Sequence, residues 1–250
     1  MFHVVIPARH AASRLPGKPL LPIAGKPLVQ WVWERCCRSG AASIVVATDD
    51  ARILAAARGF GADAVMTAAT HASGTDRVAE VATLRRFGDE DIVVNVQGDE
   101  PLIEPQLVAD LAAALAARPA VDIATAIAPV GSLEEFLDPN SVKAVCAQDG
   151  RALYFSRAPM PWPRDAAPQG RPIRYAGAWR HIGIYAYRVR SLRRFTQLPP
   201  TPLELAEKLE QLRALEQGMT IHCVTLKVAP PAGVDTPADL ERVRSHLGGE

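Results

Sequence analysis

Apolar residues along this chain occur in two patterns: short β-branched runs, and longer stretches in which apolar positions recur every three or four residues. The short runs lie at 2–6, 43–48 and 91–97. They show almost no alternation between apolar and polar positions, which indicates strands buried on both faces of a sheet. The longer stretches lie at 28–40, 49–61 and 75–88. Their spacing, opening aspartates and terminal glycines predict helices between the strands.

This alternation of strands and helices predicts the class of fold. Successive strands joined by helical crossovers form a parallel sheet with right-handed connections. We therefore expect an α/β fold built on a Rossmann-like, doubly wound and mostly parallel sheet. With 250 residues, the chain is long enough for one large domain or for a domain with a sub-domain.

The second half of the chain is less regular. Helices are predicted at 106–118 and 202–218 and from Thr236 onward, and strands at 122–130, 141–157, 180–188 and 220–228. The pair Asp149–Gly150 predicts a hairpin turn inside the second of these strand regions. The segment 158–179 contains five prolines and no periodicity, so we expect an ordered loop near the functional site or at a subunit contact.

Composition excludes several classes of partner. The chain has 28 basic and 27 acidic residues and a formal net charge of +1, so no global field attracts nucleic acid or an anionic membrane. The four cysteines have neither CxxC spacing nor a disulfide framework, which favours a reducing, cytoplasmic location. The N-terminal apolar run is too short for a signal peptide, and no run of about 18 apolar residues follows.

The first connection of the predicted sheet, residues 7–27, concentrates basic residues. Arg9, Arg14 and Lys18 lie there beside Pro16 and Gly17, which favour a rigid turn. The connection lacks both the G-x-G-x-x-G pattern and the P-loop pattern. Ligands of open parallel sheets bind beyond the carboxyl ends of the strands, and several cations together suit a triphosphate. The alternative is a solvated basic loop.

A second group of polar residues follows the strand at 91–97. Gln97, Gly98, Asp99 and Glu100 continue that strand, so a carboxylate reaches the same sheet edge as the basic connection. Mg²⁺ in nucleotide sites is held by one or two carboxylates together with water and phosphate oxygens. Asp99 is therefore a candidate metal ligand, and the alternative is a turn or capping residue. Asp235, taken alone, is simply a residue at the start of the last helix.

Several segments together resemble one family. They are IPARHAASRLPGKPL (6–20), VATDD (46–50), HASGTDR (71–77), VNVQGDEPLI (94–103), PNSVKAV (139–145), LYFSRAPMPW (153–162), RHIGIYAYR (180–188), LEQLR (209–213) and GVDTPADLE (233–241). The set is similar to the 3-deoxy-manno-octulosonate (Kdo) cytidylyltransferases, or CMP-Kdo synthetases, over residues 2 to about 244. RLPGKPL alone indicates only the wider group of sugar nucleotidyltransferases.

This resemblance implies a nucleotide-diphospho-sugar transferase type of fold and a magnesium-dependent reaction. CMP passes from CTP to the anomeric hydroxyl of Kdo, and pyrophosphate is released, in the synthesis of lipopolysaccharide. The family pattern places Arg9 and Lys18 on the triphosphate, with Arg14 assisting, and Asp99 and Asp235 on Mg²⁺. These positions are the implied catalytic set: Arg9, Lys18, Asp99 and Asp235.

The same resemblance implies which residues bind each substrate. The nucleotide residues are Pro7, Ala8, Arg9, Arg14, Lys18, Ser73, Gly74, Arg77 and Gln97. The sugar residues are Gln97, Arg157, His181, Tyr185 and Glu210. Without the resemblance, His181 is equally a structural histidine, Tyr185 a core residue and Glu210 a solvated helix residue.

The resemblance also implies a single cytidylyltransferase domain over 1–250, working as a homodimer. Its nucleotide-binding core covers about 1–120 and 219–250, and its sugar-binding and dimerisation region covers about 121–218. Phe155, Met160, Pro161 and Trp162 form an apolar group expected at the dimer contact, unless they cover the protein's own sugar pocket.

Two other functions stay open: a cytidylyltransferase for another acidic sugar, such as 8-amino-Kdo or a sialic acid, and a non-catalytic sugar-nucleotide sensor.

Overall fold

A computed structural model describes residues 1–10, 15–164 and 178–248. The strands are β1 (Phe2–Ala8), β2 (Pro22–Ile23), β3 (Lys26–Pro27), β4 (Ser43–Thr48), β5 (Asp63–Met66), β6 (Ile92–Asn95), β7 (Ile123–Pro129), β8 (Lys143–Cys146), β9 (Ala152–Ser156), β10 (Trp179–Arg188) and β11 (Ile221–Thr225). The α-helices are α1 (Leu28–Cys36), α2 (Ala51–Gly59), α3 (Gly74–Leu84), α4 (Pro105–Ala116), α5 (Leu133–Leu137), α6 (Val189–Gln197), α7 (Pro202–Glu207), α8 (Gln211–Glu216) and α9 (Pro237–Leu247).

The main sheet has the strand order β11-β7-β10-β6-β1-β4-β5. Strand β1 runs parallel to β4 and β6, and the pairs β4–β5 and β7–β11 are also parallel. Strand β10 runs antiparallel to both of its neighbours, β6 and β7. The predicted class, an α/β fold with a mostly parallel sheet, is confirmed. The sequence pattern did not indicate the reversed direction of β10.

Helices cover both faces of the sheet. Val4 and Ile6 of β1 pack in one core cluster with α1, α4 and α9, whereas Val5, between them, packs in a second cluster with α3, α6 and α8. Side chains in a strand alternate between the two faces, so a strand covered on both sides must be apolar at every position. Full burial of one such side chain contributes about 1.5–3 kcal/mol to folding. The absence of alternation in the first strand therefore reflects burial on both faces.

Capping residues explain where the site helices begin. Asp50 caps α2 by accepting hydrogen bonds from the amides of Arg52 (2.8 Å) and Ile53 (3.3 Å). Ser73 and Thr236 each begin a helix with a reciprocal capping box. Such caps satisfy backbone N–H groups that have no partner inside the helix. The starts of α2 and α9 agree with prediction, and α3 begins near the predicted start with Ser73 as its cap.

The predicted helix at 202–218 is wrong as a single helix. The chain forms two short helices, α7 and α8, and Lys208 between them has a left-handed φ of 54°. The carbonyl oxygen of Glu207 accepts a hydrogen bond from Nε of Arg157 at 2.7 Å, and the Glu207 carboxylate binds the Arg157 amide at 2.6 Å. Arg157, which follows β9, therefore occupies the Glu207 groups where the helix would continue.

Other differences follow from local geometry. Helix α1 ends at Cys36 and not at Gly40, which has a φ of 78° in the turn that follows. The predicted hairpin at Asp149–Gly150 is present, with Gly150 at a φ of 84° between β8 and β9. Strand β5 and helices α5 and α6 were not predicted. Helix α6 buries Val189, Leu192 and Phe195 at three-residue spacing between arginines, so its amphipathic pattern was present in the sequence and was missed.

Two predicted features fall partly or wholly outside the described residues. Arg14 lies outside them, and so do residues 165–177 of the predicted loop at 158–179. Phe155, expected in an exposed apolar group, is completely buried in the core, so that part of the expectation is wrong. Trp162 is 59% exposed. In the described part of the chain, no helix is both long enough and apolar enough to span a bilayer.

The division into a nucleotide core and a second region stays a prediction. The main sheet runs through both regions, because β7 and β10 lie between β11 and β6. The hairpin β8–β9 extends from β10, since β8 pairs with Trp179 and Arg180 at the start of that strand.

Candidate functional site

A small cavity of about 150 Å³ lies at the carboxyl ends of β1 and β6. Its lining residues are Pro7, Ala8, Arg9, Lys18, Pro19, Gly74, Gln97, Gly98 and Asp99. Parallel strands bring their following loops together at one edge, which is where ligands of such sheets bind. Most of the predicted nucleotide residues therefore meet in one place.

Glycine permits the close contact at the floor of this cavity. A Cβ atom at Gly98 would lie 2.9 Å from the carbonyl oxygen of Pro7, closer than such atoms approach. The Gly98 amide donates a hydrogen bond to that same oxygen at 3.2 Å. Any larger residue would separate the ends of β1 and β6 and displace the residues that follow them.

Lys18 is the central cation of the site. It begins a 3-10 turn, Lys18–Leu20, after Gly17, whose φ of 71° is left-handed. Its Nζ donates to a carboxylate oxygen of Asp99, to Oδ1 of Asp235 at 3.0 Å and to the carbonyl oxygen of Val234 at 3.0 Å. Burial lowers the pKa of Lys18, but the two carboxylates outweigh burial, and the pKa is raised. Lys18 is therefore charged throughout the neutral range.

Three carboxylates surround Lys18. The amide of Val234 donates to the carbonyl oxygen of Asp99 at 2.8 Å, which fixes the segment carrying Asp235 beside Asp99. Glu100 lies against Gly233, where a Cβ atom would be 2.7 Å from Oε1 of Glu100. Burial, with Asp99 and Asp235 nearby, raises the pKa of Glu100 to about 8. With a pKa of about 8, Glu100 is mostly protonated at neutral pH, so Asp99 and Asp235 are the carboxylates that offer charge to a cation here.

The fit of this group to Mg²⁺ can be judged from its donors. Asp99 and Asp235 offer only carboxylate oxygens, the ligands that Mg²⁺ prefers. The ammonium group of Lys18 already bridges the two side chains. Among the described residues, no three His, Cys, Asp or Glu side chains form a ready metal cage. Such a site suits an ion that takes its remaining ligands from phosphate and water.

The start of α3 lies against the small cavity. Gly74 lines the small cavity, and Ser73 caps the helix. Arg77 is completely buried; it donates to Oδ2 of Asp49 at 2.8 Å and to Oγ1 of Thr67. The structure thus gives Arg77 a supporting position beneath the site, and its predicted contact with the base stays a prediction.

A larger cavity of about 760 Å³ adjoins the first, and Gln97 lines both. Its walls come from four segments: 96–103, 131–142, 180–184 and 230–235. His181 lies on one wall, with its Nε2 2.9 Å from Oγ1 of Thr125 and its ring edge-on to Phe155. Burial lowers the pKa of His181 to about 3, so its imidazole is neutral and can both donate and accept.

The remaining predicted sugar residues do not line this cavity. The Tyr185 ring lies 5.5 Å from the His181 ring, on the same strand face. Burial raises the pKa of the Tyr185 hydroxyl. Arg157 is engaged by Glu207 and by the carbonyl oxygen of Pro139. Glu210 accepts a hydrogen bond from Oγ1 of Thr75 at 2.7 Å, near the start of α3. The structure brings together Gln97 and His181 of this set, with Tyr185 beside them.

Sequence reasoning missed several residues that line the larger cavity. Arg180 is a cation there, and its Nη1 lies 3.2 Å from Oε1 of Glu135. Glu100 and Glu135 add carboxylates to the lining. The available signal for Arg180 was its position next to His181 in the segment 180–188. For Glu135 the available signal was the Ser-x-x-Glu spacing of Ser132 and Glu135, which is typical of a helix start and was missed.

These features define a class of protein: an α/β nucleotide-binding enzyme with a basic strand-end loop, paired aspartates and a neighbouring cavity for a second substrate. A family profile described as cytidylyltransferase matches residues 3–221, and the chain belongs to the cytidylyltransferase family.

Individual relatives narrow this assignment. The chain is 53% identical over 250 residues to 3-deoxy-manno-octulosonate cytidylyltransferase of Cellvibrio japonicus (strain Ueda107), with 98% of each chain covered. It is 51% identical over 249 residues to the protein of that name in Nitrosococcus oceani, covering 98% of this chain and 96% of that one. A solved structure of CMP:2-keto-3-deoxy-manno-octonic acid synthetase complexed with CTP matches with a TM-score of 0.90 at 43% identity, covering 99% and 98% of the two chains. The resemblance drawn from the sequence segments is confirmed.

Proposed function

We propose that this protein transfers CMP from CTP to the anomeric hydroxyl of Kdo, giving CMP-Kdo and pyrophosphate for lipopolysaccharide synthesis. The observation that carries the proposal is the pair of adjoining cavities that share Gln97, in a chain whose full-length relatives carry this activity in their names. One cavity offers cations for a triphosphate, and the other is large enough for an eight-carbon sugar acid.

The nucleotide is held at the smaller cavity. Arg9 and Lys18 bind triphosphate oxygens, with Arg14 as a further contact, because guanidinium and ammonium groups neutralise a polyanion. The base lies against the backbone of Pro7 and Ala8 and the start of α3, where Ser73, Gly74 and Arg77 are its predicted neighbours. Gly98 lets the end of β6 pack closely against Pro7 and Ala8 and so keeps this part of the cavity in place. The residues supply alignment and charge neutralisation, which is most of what phosphoryl transfer requires from a protein.

Asp99 and Asp235 would hold Mg²⁺, since their oxygens suit that ion and phosphate can complete its shell. Bound there, Mg²⁺ supplies charge stabilisation at the α-phosphate and aids departure of pyrophosphate. Lys18, which binds both carboxylates, keeps these two side chains next to the triphosphate position.

The acceptor is held at the larger cavity. Gln97 and the neutral imidazole of His181 offer donors and acceptors to sugar hydroxyls, and Arg180 offers a cation to the sugar carboxylate. Tyr185 supports His181 from behind. Arg157 and Glu210, expected on the sugar from the family pattern, act through the neighbouring segments that they bind.

A homodimer through the second region is part of the proposal. Trp162 is exposed and its ring lies 6.3 Å from that of the buried Phe136, so Trp162 is the aromatic side chain that this surface offers to a partner. Light scattering of active enzyme at micromolar concentration should give about twice 26.9 kDa for the dimer. Loss of the dimer in Trp162→Glu supports this contact, and a monomeric active enzyme overturns it. The cytoplasmic location also stays a prediction.

The deciding experiment is pyrophosphate release from CTP, Mg²⁺ and a panel of acidic sugars. Kdo should give the highest kcat/KM. A higher value with 8-amino-Kdo or a sialic acid would change the acceptor while keeping the reaction. Binding of CTP without turnover on any member of the panel would favour a sugar-nucleotide sensor and overturn the proposed activity.

A further inference from the structure

Lys143 is a completely buried lysine that the reaction described above does not use. It begins β8, and its side chain has no exposed surface. Nζ donates to the carbonyl oxygen of Asp138 at 2.7 Å and to the carbonyl oxygen of Ser141. Burial lowers the pKa of this lysine. An ammonium group is costly to remove from water, so its place among backbone carbonyls calls for a physical reason.

The segment that Lys143 binds forms a wall of the larger cavity. Asp138, Asn140, Ser141 and Val142 all line that cavity. The carbonyl oxygen of Val142 accepts a hydrogen bond from the amide of His181 at 2.8 Å. The segment 138–142, here called the wall segment, is therefore bound to Lys143 behind it and to the strand that carries His181 beside it.

Arg157 holds the same segment from a second direction. Its Nη1 donates to the carbonyl oxygen of Pro139 at 2.9 Å, while its Nε donates to the carbonyl oxygen of Glu207 at 2.7 Å. The carbonyl groups of Asp138 and Ser141 thus point toward Lys143, and that of Pro139 points toward Arg157. All three point away from the cavity. Inside the turn, the amide of Ser141 also donates to the carbonyl oxygen of Asp138 at 3.2 Å, whereas the carbonyl oxygens of Pro139 and Ser141 accept from the two cations.

We propose that Lys143 is a positioning residue for the acceptor: together with Arg157 it fixes the wall segment at the distance from His181 that the sugar requires. This inference rests on the proposed function. Lys143 acts through the wall segment and not on the sugar, because its ammonium group is buried and engaged by carbonyls. Loss of this support should weaken contacts that the wall segment makes with the bound sugar throughout the reaction, which raises KM and leaves kcat nearly unchanged.

The test separates acceptor binding from nucleotide binding. Lys143→Met keeps the length of the side chain and removes the charge and the donors. We expect the KM for Kdo to rise about tenfold, with kcat and the KM for CTP changed less than about twofold. Lys227→Met, a lysine outside both cavities, is the matched control and should behave as the wild type. In Lys143→Ala, n-propylammonium should restore part of the Kdo affinity, and n-propanol at the same concentration should not.

Circular dichroism and thermal unfolding establish that each variant folds. If Lys143→Met does not fold, Lys143→Gln, which keeps two N–H donors, should fold and give the same selective rise in KM at about threefold. An unchanged KM for Kdo, an equal rise for both substrates, or failure of both variants to fold overturns the proposal and leaves Lys143 a stability residue. Wild-type enzyme inactive on Kdo would instead contradict the proposed function, and the KM comparison would then use the acidic sugar it accepts.

Discussion

The two cavities differ in how they are built, although they share Gln97. The smaller cavity, proposed for CTP and here named the nucleotide cavity, gathers loops that follow parallel strands, and most of the residues predicted for the nucleotide line it. The larger cavity, proposed for the sugar and here named the acceptor cavity, gathers an antiparallel strand, a short helix and irregular segments, and only some of the residues predicted for the sugar line it. Parallel strands bring their ends to one edge whatever the details of packing. Irregular segments are placed by long-range contacts instead, so each cation or carboxylate in them can serve structure or ligand.

The largest expected effect lies at the acidic side of the nucleotide cavity. Asp99→Asn and Asp235→Asn should each lower kcat by about a thousandfold, because metal charge stabilisation contributes several kcal/mol to this chemistry. Pyrophosphate release at saturating CTP and Kdo is the measurement, with Mg²⁺ varied and then removed by EDTA. The control is Asp63→Asn, which changes an exposed ion pair with Arg85. A variant of Asp99 or Asp235 that keeps more than about a tenth of the wild-type rate would exclude that residue from the metal set.

A smaller effect is expected at Lys18. Lys18→Met removes a cation from the triphosphate and leaves Asp99 and Asp235 without their shared counterion. We expect kcat/KM for CTP to fall about a hundredfold, a typical loss for one electrostatic donor in an enclosed site. The effect should be equal with every acidic sugar that the enzyme accepts. A loss that depended on the acceptor would place Lys18 on the sugar and not on the phosphates.

The strands and helices of the first half could be predicted because their signals are local. The apolar runs at 2–6 and 43–48 gave β1 and β4 closely, and Asp50 marked the start of α2. Helix α7 could not be delimited in this way, because Arg157, about fifty positions away, takes the carbonyl of Glu207. The residues of the site also divide into those placed by local signals and those placed by long-range contacts. Arg9, Lys18 and Asp99 follow strands, whereas the wall segment depends on Lys143 and Arg157.

Glu210 offers a sharper test of the boundary between the cavities. The family pattern expects it on the sugar, but its carboxylate accepts from Thr75 at the start of α3. We therefore expect Glu210→Ala to raise the KM for CTP about fivefold to tenfold, with a smaller change for Kdo, because a charged hydrogen bond that orders the nucleotide side is lost. Glu210→Gln keeps an oxygen for the Thr75 hydroxyl and should lose less. The exposed Glu241→Ala serves as control.

The opposite outcome is equally informative. A rise confined to the KM for Kdo would return Glu210 to the acceptor and would require α8 to contact the sugar in the complex. Thr75→Val distinguishes the two routes, since it removes the hydroxyl without touching the carboxylate. Equal effects of Thr75→Val and Glu210→Ala on the KM for CTP would establish that the two residues act as a pair.

The smallest expected effect concerns stability and tests how dry the acceptor wall is. His181 has an ordinary pKa of 6.5 that burial lowers to about 3 in the folded protein. Between these values the unfolded chain binds a proton that the folded protein does not. The free energy of unfolding therefore decreases as the pH falls through this window. One such group changes stability by about 1.4 kcal/mol per pH unit, so lowering the pH from 6.5 to 5.5 should cost about 1 kcal/mol. In His181→Gln, which cannot titrate, this part of the acid sensitivity should be absent.

His3 also has a pKa lowered by burial, but Asp91 opposes that shift, so His3→Gln should remove less of the sensitivity. Urea unfolding of the three proteins at pH 7.5, 6.5 and 5.5 measures the difference. If the free energy of unfolding changes equally with pH in the wild type and in His181→Gln, water reaches the imidazole. The wall of the acceptor cavity would then be as well hydrated as that of the nucleotide cavity.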